Sequence, residues 1–361
     1  MTDPLITPLK TGATIGILGG GQLGRMLSVA ASRLGFKTCI FEPNGDCPAS
    51  HVANYHFKAD YTDIDALTNF ANACDVITFE FENIPTEALD LIEAITPIHP
   101  NRDALATSQD RFLEKNFLTR IGLQTAPFAA VQTGEDLEKA IDQIGTPAIL
   151  KTRRMGYDGK GQSRLMTPED APQAMIDMAG AQAVLEGFID FSIEVSVIGT
   201  RGTDGAISCF DPGENVHLNG ILHTTTIPSK LTPSQRTDAV LLTANILNAL
   251  DYVGTMGVEL FVTPQGLIVN EIAPRVHNSG HWTQQGCTVD QFEQHIRAIA
   301  GWPLGDGSRH SNVTMENLIG DDVERLPDIA KTNTAIHLYG KADAKAGRKM
   351  GHINTVTGPA S

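Results

Sequence analysis

The first hundred residues alternate short apolar strands with helical segments, and this alternation restricts the fold more than any other feature of the chain. An apolar strand at residues 14–18 leads through the glycine-rich residues 19–24 into a helix predicted to end near Leu34. Further strands are predicted at residues 37–41 and 75–82, and carboxylates stand at the end of both. Strands separated by helices indicate a parallel sheet with ligand-binding groups at the carboxyl ends of its strands.

Length and composition narrow the class of protein. The 361 residues exceed what one ordinary core holds, so we expect two or three domains. The chain is 41% hydrophobic and 19% charged, which is typical of a soluble globular protein. No apolar run approaches the ~20 residues needed to span a bilayer, and residues 1–11 lack the pattern of a signal peptide. The net charge of −15 opposes nonspecific binding to nucleic acid.

The number and spacing of the cysteines indicate the redox environment in which the protein works. The five cysteines are scattered along the chain without a Cys-x-x-Cys pair. Scattered cysteines are typical of a reducing environment and argue against a structural zinc site. We therefore expect a cytoplasmic protein.

Residues 19–24 match the pattern Gly-x-Gly-x-x-Gly, which is typical of dinucleotide-binding sites. Glu42 follows Gly24 at about the distance usual for a ribose-binding acid, so an NAD-dependent oxidoreductase is one interpretation. A glycine loop at a helix N-terminus suits a phosphate monoester equally well, because its N–H groups and the helix dipole attract anions. In a third interpretation the glycines only permit close packing of the helix on the strand.

A second glycine-rich loop is strongly cationic. An apolar strand at residues 147–150 is followed by Lys151, Arg153 and Arg154, and then by residues 156–162 with the sequence Gly-Tyr-Asp-Gly-Lys-Gly-Gln. The three glycines allow the N–H groups of this loop to fold around a polyanion. Because the chain as a whole is acidic, this local positive charge predicts a phosphate site. The alternative is a solvated hairpin loop.

Residues 101–122 are predicted to form one long helical region. It carries Arg111 and Lys115, which are spaced i, i+4 and therefore share a helix face. We expect Lys115 to be solvated on that face.

Two further strands are predicted beyond the cationic loop. The apolar residues 183–189 run into a loop and provide a wall suited to an adenine ring. Residues 191–197 alternate as a half-buried strand, which places Glu194 on its polar face.

Residues 257–262 and 266–272 are predicted to pair as a hairpin that carries Glu259 and Glu271. In an apolar hairpin these carboxylates are costly unless they are paired or bind a metal, the alternative being that both face solvent. A three-residue loop at residues 264–266 would set Glu259 directly opposite Glu271, whereas a two-residue turn would leave the register open.

A polar segment, residues 273–282, follows the hairpin. It contains His277 and His281 at i, i+4 spacing, but its glycine and serine residues argue against a helix. We therefore do not expect a histidine-based metal site there.

Six segments in this order resemble the ATP-grasp superfamily, and within it the chain looks like the 5-(carboxyamino)imidazole ribonucleotide synthase family. The resemblance runs from Gly16 to about Asn354 and rests on residues 16–26, 109–115, 156–162, 191–196, 270–283 and 347–352. Lys160 departs from the pattern, because many members carry arginine there. The lysine ammonium is a point charge, whereas the arginine guanidinium is a planar fork, so we do not expect bidentate contact at this position.

The resemblance implies an α/β and α+β protein, with an ATP-grasp fold preceded by a Rossmann-like parallel-sheet domain. Residues 1–110 would form the N-terminal pre-ATP-grasp domain. Residues 111–200 would form the central ATP-grasp lobe with its glycine-rich lid, and residues 201–361 the C-terminal lobe and tail.

The resemblance also implies the roles of individual residues. ATP would be bound by Arg111, Lys151, Gly156, Tyr157, Asp158, Gly159, Lys160, Gly161, Gln162, Glu186, Phe188, Ile189, Glu194, His217, Asn270 and Glu271. The second substrate would be bound by Gly21, Gln22, Leu23, Glu80, Tyr157, Lys160, Arg275, Lys341 and Arg348. Glu259 and Glu271 would hold Mg²⁺. Lys151, Asp158, Arg275, His277 and Asn278 would act in catalysis.

The implied reaction uses ATP, Mg²⁺, bicarbonate and aminoimidazole ribonucleotide. Bicarbonate would attack the γ-phosphate to give carboxyphosphate, whose carbon the exocyclic amine of the ribonucleotide would capture. The family is typically dimeric, so we expect a homodimer, with hand-over of the product to the next purine-pathway mutase and with neither nucleic acid nor membrane as partner.

Three alternatives stay open. Another ATP-grasp ligase acting through an acyl-phosphate would share most of these residues. An NAD-dependent oxidoreductase would explain residues 14–42 but would leave residues 151–162 and the two hairpin glutamates without a purpose. A catalytically inactive nucleotide-binding regulator would not need the carboxylates and Lys151.

Overall fold

The structure is a computed structural model that describes residues 7–156 and 161–360. Its strands are β1 (Thr14–Leu18), β2 (Lys37–Phe41), β3 (Tyr55–Phe57), β4 (Val76–Phe79), β5 (Phe128–Val131), β6 (Ala148–Thr152), β7 (Gln162–Leu165), β8 (Ala183–Gly187), β9 (Ile193–Arg201), β10 (Ile207–Cys209), β11 (Gly213–Leu218), β12 (Ile221–Ile227), β13 (Gly254–Thr263), β14 (Gly266–Ala273), β15 (Ser311–Ile319), β16 (Thr334–Leu338) and β17 (Lys349–Pro359).

Its α-helices are α1 (Gln22–Arg33), α2 (Ile64–Asn72), α3 (Thr86–Glu93), α4 (Arg102–Ser108), α5 (Arg111–Arg120), α6 (Gly134–Ile144), α7 (Ala171–Asp177), α8 (Pro233–Ala249), α9 (Thr283–Gly286), α10 (Gln291–Ile299) and α11 (Leu326–Ile329). Short 3-10 turns lie at Pro168–Asp170, Asn278–Gly280 and Gly320–Arg325. No helix in the described part of the chain is long and apolar enough to cross a membrane.

The N-terminal sheet has the order β3-β2-β1-β4, and its strands are parallel. This confirms the parallel sheet predicted from the alternation of strands and helices. Strands β1 and β2 have the predicted bounds, but the strand predicted at residues 75–82 ends at Phe79. Beyond Phe79 the chain leaves the sheet, and the Glu80 side chain accepts hydrogen bonds from the glycine loop after β1.

The central sheet is antiparallel, with the order β5-β8-β6-β7. Leucines and alanines from α6 and α7 pack on it as a small core. Lys151 lies inside β6, where it pairs with Gln162 of β7 and Val184 of β8, and not after the strand as predicted. The sheet therefore fixes the backbone of Lys151 on two sides.

The largest sheet runs β14-β13-β9-β11-β12-β15-β17-β16, with β10 paired to β9. All its pairings are antiparallel. Helix α8 packs against β9, and a core of buried aliphatic side chains fills the space between them. His217, which the resemblance assigns to ATP binding, lies in β11 of this sheet.

The helical region predicted at residues 101–122 is two helices, α4 and α5, because Asp110 interrupts it. The Asp110 carboxylate accepts from the N–H groups of Phe112 and Leu113 at 3.0 and 3.3 Å, so it caps the start of α5. It also forms an ion pair of 2.7 Å with Arg153. A residue that satisfies free N–H groups at a helix start favours a new helix over a continuous one.

The hairpin of β13 and β14 has the predicted pairing of its glutamates but a different turn. Thr263 pairs with Gly266, so the turn has two residues and the predicted three-residue loop is wrong. A register shift next to Glu259 leaves Asn270 as an extra, bulged residue, and Glu259 then pairs with Glu271. The extra residue that brings the two glutamates opposite each other is therefore a bulged residue of β14 and not a residue of the loop.

Candidate active site

One cleft of about 810 Å³ collects side chains from all three sheets and from the C-terminal tail. Most residues assigned by resemblance line it: Gln22, Leu23, Glu80, Arg111, Lys151, Gly156, Gln162, Glu194, His217, Glu259, Asn270, Glu271, Arg275, His277, Asn278, Lys341 and Arg348. Gly21, Gly161, Glu186, Phe188 and Ile189 are described but lie outside its lining. Tyr157, Asp158, Gly159 and Lys160 fall outside the described residues.

Two cations, Arg111 and Lys151, line the cleft while carboxylates hold them in place. Arg111 is the first residue of α5, and its Nη1 donates to Oε2 of Glu271 at 2.9 Å. Lys151 Nζ donates to Oε2 of Glu186 at 2.9 Å. Both cations are therefore oriented before any anion arrives, and phosphate oxygens in the cleft could accept from their remaining N–H groups.

The pKa values of the opposed carboxylates Glu259 and Glu271 are shifted in opposite directions. Burial, together with the neighbouring carboxylates of Glu271 and Glu194, raises the pKa of Glu259 well above its ordinary value. Burial alone would also raise the pKa of Glu271, but Arg111 lowers it below the ordinary value. Asn270 Nδ2 donates to Glu259 at 3.3 Å. Opposed like charges in one hairpin repel each other, and a divalent cation would relieve that repulsion.

Glu194 and His217 form a second polar pair in the cleft. Glu194 Oε1 lies 3.3 Å from Nδ1 of His217 and accepts from Asn215 Nδ2 at 3.5 Å. Burial raises the pKa of Glu194 to about 7. The predicted half-buried alternation of this strand is wrong, because residues 195–200 are all buried inside the largest sheet. Glu194 nevertheless lines the cleft, and its pair with His217 presents groups that could hydrogen-bond ribose hydroxyls.

The segment that follows β14 also contributes to the lining of the cleft, with Arg275, His277 and Asn278. Arg275 forms an ion pair of 2.7 Å with Glu82. Ser196 donates to Ser279 at 2.6 Å, so the Ser279 proton is available to Nδ1 of His277 at 2.8 Å. The ring proton of a neutral His277 then sits on Nε2, which lies 3.6 Å from Glu259. Burial lowers the pKa of His277 well below its ordinary value.

Asn278 is oriented by a reciprocal amide pair. Its Nδ2 donates to Oδ1 of Asn317 at 2.9 Å, and Asn317 Nδ2 donates to Oδ1 of Asn278 at 2.6 Å. Asn317 is fully buried and also donates to the carbonyl of Leu222. The amide of Asn278 is thus fixed at the cleft wall by a buried partner that sequence patterns did not reveal.

The N-terminal glycine loop is filled by carboxylates of the chain itself. Gly21 and Gly24 donate their N–H groups to Glu80 at 2.7 and 3.1 Å, and Gly20 donates to Glu42 at 3.2 Å. A Cβ atom on Gly21 would lie 2.6 Å from Oε1 of Glu80, so the close approach requires glycine. These three N–H groups are therefore already satisfied, and Glu42 contacts the loop instead of projecting toward a ribose.

Sequence reasoning missed two lysines and an amide at the cleft. Lys345 and Lys349 line it beside the predicted Lys341 and Arg348, and Asn83 lines it next to Glu82, one of the carboxylates at the end of the strand predicted at residues 75–82. Lys341 Nζ donates to the carbonyl of Lys349 at 2.7 Å. Three lysines and an arginine within residues 341–349 of an acidic chain were the signal that could have identified this segment.

Lys115 was predicted to be solvated, and this prediction is wrong. Only 1% of the residue is exposed, and its Nζ lies 3.3 Å from Oε2 of Glu186. The signal was present in the sequence, because Lys115 shares a helix face with Arg111, and that face packs against the chain instead of facing solvent.

Three family descriptions match successive parts of the chain. Residues 12–109 match the ribonucleotide synthetase preATP-grasp domain, and residues 116–292 match the ATP-grasp domain. Residues 314–360 match the phosphoribosylaminoimidazole carboxylase C-terminal domain. These matches confirm the predicted ATP-grasp fold behind a parallel-sheet domain.

Two relatives that match over nearly their full length carry the same name. The chain is 51% identical to N5-carboxyaminoimidazole ribonucleotide synthase of Brucella melitensis, over 97% of this chain and 98% of the relative. It is 39% identical to the synthase of the same name from Bacillus subtilis, over 99% and 94% of the two chains.

Solved structures agree with these relatives. A synthetase of this name in complex with ADP is 40% identical, covers 98% of this chain and 94% of its own, and superposes with a TM-score of 0.95. The Aspergillus clavatus synthase with ADP and 5-aminoimidazole ribonucleotide is 30% identical over 96% and 94%, with a TM-score of 0.90. The chain therefore belongs to the N5-carboxyaminoimidazole ribonucleotide synthase family and is an ATP-grasp ligase.

Proposed function

We propose that the cleft carboxylates 5-aminoimidazole ribonucleotide at the expense of ATP, in purine biosynthesis. The products are N5-carboxyaminoimidazole ribonucleotide, ADP and phosphate. The observation that carries this proposal is that one cleft is lined both by Arg111, Lys151 and the opposed glutamates and by Arg275 and the cationic residues of the segment 341–349. A nucleotide and a sugar phosphate could meet there head to head.

ATP is assigned to the end of the cleft between the central and the largest sheet. Arg111 and Lys151 would contact its phosphates, and Glu194 with His217 would contact the ribose. Glu186 Oε1 is buried without a hydrogen-bond partner, which suits an acceptor for the amino group of adenine. Phe188 and Ile189 follow directly after β8 and would border the ring.

The glycine-rich residues 156–162 are proposed to close over the phosphates. Gly156 and Gln162 line the cleft, and Gly161 has a positive φ of 68° that suits glycine. A role for Tyr157, Asp158, Gly159 and Lys160 stays a prediction, because these residues fall outside the described residues.

Magnesium fits the opposed glutamates. Glu259 and Glu271 would hold the ion, with the Asn270 amide beside them, and carboxylate and amide oxygens are the donors that Mg²⁺ prefers. Bound there, the ion would neutralise charge on the phosphate oxygens.

The ribonucleotide is assigned to the opposite end of the cleft. Its phosphate would be bound by Arg275, Lys341 and Arg348, which line the cleft. The Gly21 N–H is already donated to Glu80, so the glycine loop would contribute through the backbone at Gln22 and Leu23. Glu80 retains acceptor capacity on both carboxylate oxygens and could orient the exocyclic amine.

Two displacements complete the reaction. A bicarbonate oxygen bonds to the γ-phosphorus as the bond to ADP breaks, which gives carboxyphosphate. The exocyclic amine then bonds to the carboxyphosphate carbon as the bond from that carbon to the phosphate oxygen breaks, and the amine loses a proton. Arg275, His277 and Asn278 form the wall where carboxyphosphate would be held. Enclosure of this anhydride from water is the main task left to the protein.

A coupled assay for ADP release tests the proposal. We expect release that requires ATP and Mg²⁺ and that is greatest when bicarbonate and 5-aminoimidazole ribonucleotide are both present, with ¹³C from bicarbonate appearing in the product. An ADP-forming reaction that ignores the ribonucleotide but responds to a formate or an amino acid would instead support another ATP-grasp ligase. NAD-dependent turnover would support the oxidoreductase.

Assembly and location are also proposed. Val29, Ile336 and Leu338 are 44%, 41% and 47% exposed and line one shallow groove, which supports a homodimer through this face. All five cysteines are free, which supports a cytoplasmic location. Because the product is a labile carbamate, we also propose direct hand-over to the mutase that consumes it. Sedimentation of the purified protein, alone and with that mutase, tests both associations.

The domain division is retained as a proposal with one refinement. A boundary near residue 110 lies between α4 and α5. The second boundary is better placed between residues 187 and 193 than at residue 200, because β9 belongs to the largest sheet. Limited proteolysis would test whether cleavage falls in this interval.

A further inference from the structure

Lys115 is a buried cation that the proposed reaction does not use. It lies on α5, one turn after Arg111, with 1% of the residue exposed. Its Nζ lies 3.3 Å from Oε2 of Glu186 and donates to the carbonyl oxygen of Asn270 at 3.4 Å. An ammonium group buried this deeply is retained only where it is paired.

One carboxylate oxygen of Glu186, Oε2, is paired with two lysines. Lys151 Nζ lies 2.9 Å from the same Oε2, whereas Oε1 of Glu186 is buried without a partner. Lys151 lines the cleft and is the lysine that phosphates could engage, but Lys115 does not line it. When Lys151 is shared with phosphate oxygens, Lys115 is the cation that remains wholly with Glu186.

The second contact of Lys115 joins Glu186 to the metal-binding hairpin. Asn270 is the bulged residue that sets Glu271 opposite Glu259. Helix α5 forms hydrogen bonds with three consecutive residues of β14. Lys115 donates to the carbonyl of Asn270, and Arg111 donates to the carboxylate of Glu271. The Glu114 carboxylate accepts from the N–H of Ile272 at 2.5 Å. One face of α5 therefore fixes this strand against the central sheet.

We infer that Lys115 is a positioning residue for ATP. It holds Glu186 ionised and oriented, so that the free Oε1 accepts from the 6-amino group of adenine, and it ties this acceptor to the strand that carries Glu271. The inference rests on the proposed function, because it requires ATP in the cleft. It predicts that loss of Lys115 weakens recognition of the adenine base more than it slows the transfer of phosphate.

The first test compares Lys115→Met with Lys139→Met, which removes an exposed lysine paired with Glu135. Affinity for ATP and for GTP is measured by titration calorimetry, and kcat and KM by ADP release. In Lys115→Met we expect ATP affinity to fall roughly tenfold, the order expected when a charge-assisted contact is lost. Because guanine carries an oxygen in place of the amino group, the preference for ATP over GTP should shrink. Lys139→Met should match the wild type.

A double-mutant cycle separates positioning from general damage. If Lys115 acts through Glu186, the variant Lys115→Met/Glu186→Gln should bind ATP within about twofold of Glu186→Gln alone. Independent, multiplicative losses would overturn the inference. If Lys115→Met does not fold, the comparison of Glu186→Gln with the double variant still decides, because the double variant leaves no buried carboxylate short of a cation.

The outcomes are distinguishable from failure of the proposed function. A wild-type protein that binds no ATP would overturn both. A wild-type protein that binds ATP, with Lys115→Met binding ATP equally well and with an unchanged preference over GTP, would overturn only the role of Lys115.

Discussion

Two pairs of glutamates in this protein have different kinds of partner. Glu42 and Glu80 project onto the N-terminal glycine loop, where backbone N–H groups of Gly20, Gly21 and Gly24 donate to them. Glu259 and Glu271 stand opposite each other in the hairpin of β13 and β14.

The difference lies in what neutralises each pair. The first pair occupies the N–H groups of Gly20, Gly21 and Gly24, so these three donors are not available to a phosphate. The second pair forms the proposed metal site, because two carboxylates side by side attract a cation. The same residue type therefore predicts closure or binding according to its partners, and a glycine pattern alone decides neither.

The largest effect is expected from Glu271→Gln. Loss of this carboxylate removes a proposed magnesium ligand and the partner of Arg111, so Mg²⁺-dependent ADP release should fall by roughly 10²–10³-fold. The matched control is Glu135→Gln, which removes an exposed carboxylate of the central sheet's helix α6. Near-normal turnover in Glu271→Gln would remove the hairpin from the metal site.

The two hairpin glutamates should differ in the metal-free protein. Glu259→Gln should leave the free energy of unfolding at neutral pH unchanged or slightly raised, because a neutral amide replaces a carboxyl group that is largely buried directly opposite Glu271. Glu271→Gln should lower it by about 1 kcal/mol, since Arg111 loses a partly exposed ion pair. Urea titrations of both variants measure this, and the reverse order would contradict the different roles given to the two carboxylates.

A smaller effect is expected from Glu80→Gln. An amide can accept only one of the two loop N–H groups, so the free energy of unfolding should fall by about 1–3 kcal/mol. The KM for the ribonucleotide should rise while the KM for ATP stays constant. The exposed Glu87→Gln is the control, and a variant as stable as this control would show that Glu80 does not close the loop.

The smallest effect is expected from NADH, which should not bind saturably at micromolar concentration. The three loop N–H groups that would donate to its pyrophosphate already donate to Glu42 and Glu80, and Glu42 accepts from Gly20. Fluorescence transfer from the two tryptophans measures this directly. Saturable binding would restore the dinucleotide interpretation of residues 19–24.

These particular residues indicate how far sequence could go. Periodicity identified the parallel sheet, β1, β2 and the hairpin, because buried strands leave a plain apolar pattern. The pairing of Glu259 with Glu271 was predicted correctly, but from a three-residue loop that the structure does not have. Sequence cannot tell whether an extra residue lies in a loop or in a bulge, since both give the same register beyond it.

Other features depended on tertiary contacts. Lys115 was assigned to solvent because helix spacing gives the face it occupies but not what covers that face. Glu80 and Glu42 were not predicted to fill the glycine loop, because they reach it from the ends of other strands of the sheet. Asp110 divided a predicted helix because its carboxylate accepts from the N–H groups at the start of α5 and pairs with Arg153, which directly follows β6 of the central sheet.

The most direct test titrates Mn²⁺, as a probe for Mg²⁺, into the protein with a non-hydrolysable ATP analogue. Water-proton relaxation then reports the bound metal in the wild type and in Glu259→Gln, Glu271→Gln and Glu42→Gln. We expect protein-enhanced relaxation that both hairpin substitutions abolish and that Glu42→Gln leaves intact. Equal metal binding in Glu259→Gln, Glu271→Gln and the wild type would contradict the assignment of the opposed glutamates as the metal site.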